Sequence, residues 1–63
     1  MNRYEYFVLT QQPEFADVLS WVGHLPLDYE CHLNRTRFWV PEGRIYTEFM
    51  LRWGHCCHRV EAD

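Results

Sequence analysis

Pro41-Glu42-Gly43-Arg44-Ile45-Tyr46-Thr47-Glu48-Phe49-Met50-Leu51-Arg52-Trp53-Gly54 is the stretch on which the fold turns. Taken as a hairpin turn followed by a strand, it sends Ile45, Thr47, Phe49, Leu51 and Trp53 to one face. Taken as a helix opened by Pro41, it gathers Ile45, Tyr46, Phe49, Met50 and Trp53 into one apolar stripe. Arg44, Glu48 and Arg52 then stand four apart beside that stripe, with Glu48 ahead of Arg52 in the favourable order. A strand would place Met50 among the charges. The helical reading is favoured, with Gly54 as its cap and a last short strand over Cys56–Val60.

Working outward, Tyr4–Thr10 is aromatic and β-branched and predicts a strand. Pro13 suits the first position of a helix whose first turn carries Glu14 and Asp17. Phe15, Val18, Leu19 and Val22 form its buried stripe, and Gly23 is a natural stop. Pro26 makes Leu25–Asp28 a connection, and Tyr29–Leu33 and Thr36–Val40 predict a hairpin around Asn34-Arg35. A faint internal echo supports two strand–helix–strand halves. Pro13-Glu14 leads to Trp21-Val22-Gly23-His24, and Pro41-Glu42 leads to Trp53-Gly54-His55.

The expectation is therefore one α+β domain spanning residues 1–63, a small two-layer sandwich on the βαββαβ ferredoxin-like plan. The alternative is one helix packed on a four- to five-stranded antiparallel meander.

Length and composition narrow the function. A chain of about 60 residues buries only roughly 60% of its unfolded surface, so it gains from any further prop. Eleven aromatics supply one, at about 150–250 Å² each. Nine acids against six bases give a net charge of −3, and every base is Arg. A domain devoted to gripping phosphates is normally basic, so direct nucleic-acid binding is not expected. The acid in Met1–Glu5 and the short apolar run Tyr6–Leu9 do not fit a secretory leader. No stretch approaches the ~20 apolar residues of a membrane span. A cytoplasmic protein without a membrane role is expected, with its three cysteines reduced.

His55-Cys56-Cys57-His58 concentrates the reactive side chains. On a strand its neighbours alternate between faces, so a metal could recruit at most alternate members. Cys31, His55 and Cys57 are the candidate ligands should a metal bind, although no cofactor is expected. Cys57 and His58 would point apart, and no glycine-rich elbow precedes any cysteine, which argues against nucleophilic catalysis. Arg35-Thr36-Arg37-Phe38-Trp39 alternates basic and aromatic residues, the kind of strand on which single-stranded RNA can stack, but it lacks the glycine-aromatic pattern of that class.

The richness in Tyr, Trp, Phe, Met and Arg without Lys is that of interface hot spots. Some of Tyr4, Tyr29, Trp39, Tyr46 and Trp53 are expected at the surface. In length and acidity, and in no motif, the chain resembles the small inhibitors that bacteriophages direct at host machinery, a class that includes the anti-CRISPR proteins. That resemblance implies a non-enzymatic monomer or homodimer that docks on a larger host protein or nucleoprotein complex and blocks it sterically. The expected contact residues are Asp28, Tyr29, Glu30, Trp39, Glu42, Glu48 and Glu61. The alternative is a small nucleic-acid-binding or zinc-stabilised regulatory module.

Overall fold

The computed structural model describes residues 2–60. The chain runs β1 (Arg3–Leu9), α1 (Phe15–His24), β2 (Tyr29–Cys31), β3 (Arg35–Pro41), α2 (Arg44–Trp53) and β4 (His58–Arg59). The four strands form one antiparallel sheet in the order β2-β3-β1-β4. Both helices contribute to a core on one face of that sheet, which makes a two-layer α+β sandwich. No helix among the described residues is long and apolar enough to cross a membrane.

The central pair sets the geometry. β1 and β3 match over seven positions, from Arg3 opposite Pro41 to Leu9 opposite Arg35. Because side chains alternate along a strand, Tyr6, Val8, Phe38 and Val40 share the helix-covered face and are buried. Glu5, Phe7, Arg37 and Trp39 share the opposite one. β2 and β4 are short edges of three and two residues.

The stretch opened by Pro41 is helical, beginning later than expected. Pro41 is the last residue of β3, and Gly43 serves as N-cap with φ 115°. That left-handed backbone is open to glycine at little cost and strained for other residues. Phe49 is fully buried against Tyr6, Trp21 and Phe38, with ring centroids 4.6, 5.9 and 5.7 Å away. Its burial contributes about 1.5–3 kcal/mol. Ile45, Tyr46 and Trp53 pack around it, while Met50 is 41% and Leu51 83% exposed. Met50 is thus the edge of the stripe and not its centre. At the far end, a Cβ on Gly54 would lie 2.5 Å from the Met50 carbonyl oxygen, so the cap requires glycine's close approach.

Several local expectations shift. Pro13 precedes the helix, whose N-cap is Glu14, and Gly23 lies inside the last turn instead of stopping it. Trp21 joins Val18 and Val22 in the core, while Phe15 and Leu19 are only half-buried. The β2–β3 turn sits one residue earlier than expected. His32 N–H donates to Arg35 O at 2.8 Å, and Leu33 stands 99% exposed at the tip instead of in a strand.

Candidate functional site

Of the last strand expected over Cys56–Val60, only His58–Arg59 forms, as β4. After α2 the chain turns tightly, and the N–H groups of Cys56 and Cys57 both donate to Trp53 O, at 3.1 and 3.0 Å. That turn buries both thiols together, with His55 and His58 exposed on either side. The expectation that neighbours in His55–His58 alternate between faces is corrected accordingly, since Cys56 and Cys57 are buried together. Burial pushes both thiols up from the ordinary cysteine value, Cys57 strongly so. A thiol held neutral is a poor nucleophile and a poor metal ligand.

The candidate ligands Cys31, His55 and Cys57 are not brought together. Cys31 is on β2 at one edge of the sheet, and Cys57 precedes β4 at the other. Among the described residues no group of three or more His, Cys, Asp or Glu is placed to hold a metal ion.

What the fold does assemble lies on the sheet face opposite the helices. There two guanidinium groups lie over the Trp39 ring, Arg3 at 5.5 Å and Arg37 at 5.4 Å from its centroid. Arg35 lies 5.2 Å over Phe7, and the His58 ring stacks on Phe7 at 5.0 Å. Such contacts contribute about 0.5–1 kcal/mol each at exposed sites. They explain why Phe7 and Trp39 are only half-exposed on a face that carries no helix.

Carboxylates fix the arginines in turn. Arg37 Nε donates to Glu5 Oε2 at 2.6 Å, and its Nη1 donates to Glu30 at 3.4 Å. The Glu5 hydrogen bond raises the Arg37 pKa further, so the guanidinium is a permanent charge. Arg3 donates to Asp28 at 2.8 Å across an exposed pair. The result is a braced lattice of aromatic, cationic and anionic groups.

Two depressions flank the Arg3–Trp39 contact. One of about 360 Å³ is lined by Arg3, Tyr4, Glu5, Trp39, Arg59 and Val60. The other, about 180 Å³, lies between Arg3, Trp39, Asp28 and the Pro26–Leu27 connection.

Of the expected contact residues, Asp28, Glu30 and Trp39 meet on this lattice. Tyr29 is 52% exposed on β2 but pairs with Phe38, which places it on the helix side. Glu42 accepts a hydrogen bond from Tyr4 at 3.0 Å, and Glu48 pairs with Arg52 on α2, away from the lattice. Glu61 lies outside the described residues. Tyr4, Tyr46 and Trp53 pack against the core instead of standing free.

Sequence reasoning missed Arg3 and Phe7. The signal was present in the parity of β1, whose odd positions alternate Arg3, Glu5 and Phe7 against the apolar Tyr6 and Val8. Comparison with protein-family models, with curated proteins and with solved structures gives no match.

Proposed function

We propose that this chain is a non-enzymatic docking module that uses the uncovered sheet face to bind a larger protein. The observation that carries the reading is Trp39 in contact with both Arg3 and Arg37, with two depressions that share Arg3 and Trp39 in their walls. Trp and Arg dominate interface hot spots, which act by seating in matched hollows. Bracing by Glu5 and Asp28 reduces the side-chain entropy lost on binding. The buried, proton-holding thiols favour binding over catalysis.

Docked in this way, a 7.8 kDa body denies the covered surface to other ligands. Steric inhibition of a host protein or nucleoprotein complex, in the manner of phage inhibitors, is the role we assign to that act. Stacking of single-stranded nucleic acid on Phe7 and Trp39 is the weaker reading. Most of the lattice's cations already have acidic partners, and the chain repels phosphates with its net −3.

The test is capture of a partner from host lysate by the tagged chain, followed by affinity measurement with substituted chains. Trp39→Ala should weaken binding by roughly 30-fold or more, the scale of a hot spot of about 2 kcal/mol. Leu51→Ala, on the opposite side of the molecule, should leave it unchanged. Retention indifferent to Trp39, or no partner near equal stoichiometry, would overturn the reading.

A further inference from the structure

β2 is an outer strand of the sheet, and its ladder uses only one of its sides. Trp39 N–H donates to Asp28 O at 3.1 Å, and His32 N–H donates to Arg35 O at 2.8 Å. Alternate residues of an antiparallel strand turn their backbone groups to the same side, so Asp28, Glu30 and His32 face β3. Tyr29 and Cys31 therefore turn their N–H and C=O groups outward, where no backbone group among the described residues meets them. All of Tyr29, Glu30 and Cys31 are exposed, which leaves this edge uncovered. An uncovered edge is a template for a further strand.

A second copy of the same strand fits it in one register. Outward groups must meet outward groups, so a symmetric antiparallel pair is centred on Tyr29, Glu30 or Cys31. Centred on Tyr29, it sets Asp28 opposite Glu30 of the second copy. Centred on Glu30, it sets that carboxylate opposite its own equivalent. Like charges directly opposite are unfavourable. Centred on Cys31, it sets Glu30 opposite His32 of the second copy, and the contact occurs twice by symmetry. Glu30 and His32 already lie 3.4 Å apart within one chain, so the register gathers both pairs into a single acid–imidazole cluster.

We propose that the protein pairs with a second copy of itself, β2 against β2 about a twofold axis at Cys31. With four strands and two helices from each copy, the two sheets run on as one, and every helix lies on the same side. The axis is perpendicular to the sheet, so both Trp39 lattices share the uncovered face. The pairing stands on the edge alone. Where the docking reading also holds, it makes the module bivalent and adds avidity without a new contact. A strand of three residues gives a weak, exchanging pair, short of the roughly 1,000 Å² that a stable interface clears.

The experiment is sedimentation equilibrium and amide NMR of the full chain over a wide dilution series. The mass should rise with concentration from that of the 7.8 kDa chain toward its double, and the Tyr29, Cys31 and His32 amides should shift in step. Cys31→Pro removes the outward N–H without touching a hydrogen bond to β3, so that variant should fold and stay monomeric. His32→Glu sets acid opposite acid and should weaken pairing by about tenfold, and it decides the matter if the proline variant does not fold. A chain that stays monomeric at the highest concentration overturns the inference. So does self-association that survives either substitution in a folded chain, or whose shifts fall on α2 or β4 instead. None of these results touches the docking reading, which Trp39→Ala tests.

Discussion

Gln12 holds Cys56 across 44 positions of sequence: its Nε2 donates to the Cys56 carbonyl at 2.8 Å. The other end of the same amide accepts from Leu9 N–H at 3.0 Å and lies 3.3 Å from His58 Nε2. One side chain thus ties the end of β1 to the turn that buries the thiols and to the two-residue β4. β4 has few ladder bonds of its own, so this amide bears much of its attachment.

Gln12→Ala should accordingly destabilise the fold by about 1–3 kcal/mol, the range for leaving buried polar groups unpaired. The loss should be local before it is global. Amide exchange at Val60, whose N–H donates to Glu5 O, should accelerate more than exchange at the β1–β3 centre. Uniform acceleration across the sheet would show that Gln12 does not act on this edge.

The two glycines bounding α2 should respond differently from an ordinary surface position. Gly43→Ala forces a side chain into φ 115°, a strain of order 1–3 kcal/mol. Gly54→Ala drives a Cβ to 2.5 Å from a backbone oxygen, which the helix end must shift to relieve. Both should lower the thermal midpoint by several degrees, since 1 kcal/mol moves a domain this small by roughly 4–8 °C. A midpoint unchanged in either variant would contradict the backbone described.

Thr36 gives a prediction of the opposite sign. It is 1% exposed, and its Oγ1 has no protein hydrogen-bond partner. Thr36→Val keeps the β-branched shape and removes a buried hydroxyl that gains nothing. Stability should rise by about 1 kcal/mol, read from the denaturant midpoint. A loss of that size would mean that the hydroxyl is bonded in solution.

Alkaline pH should unfold the chain early. Burial, aided by the hydrogen bond with Tyr46, pushes Tyr6 up to about 12, and burial raises Cys57 as well. Both groups release protons more readily once unfolded, so their stabilisation is complete below the ordinary values of 9 and 10 and fades above them. Between pH 10 and 12 each group contributes a slope of about −1.4 kcal/mol per pH unit. Cys57→Ala should flatten this fall, and an unchanged slope would remove the thiol from it.

The sequence made the helices and the central strand pair legible because periodicity reports burial directly. Val18, Val22, Phe38, Val40 and Phe49 all sit where the apolar pattern requires. What it hid depends on turns of two to four residues, whose backbone hydrogen bonds leave no periodic trace. The double donation to Trp53 O is the clearest case: it converts an expected alternating strand into a turn with both cysteines inside. The candidate site was half legible. Trp39, Asp28 and Glu30 were chosen for their chemistry, but their grouping with Arg3 and Phe7 comes from a β1–β3 register that pairs positions 26 to 38 apart.

The pair of buried cysteines also gives the molecule an internal clock. Cys31 is exposed, while Cys56 and Cys57 lie beneath the turn that Gln12 fastens. A thiol-modifying reagent should therefore label the chain in two phases, at once on β2 and then only as fast as the β4 edge lifts. The delayed phase timed against the prompt one measures how often that edge opens, and a bound partner that covers the edge should lengthen the interval.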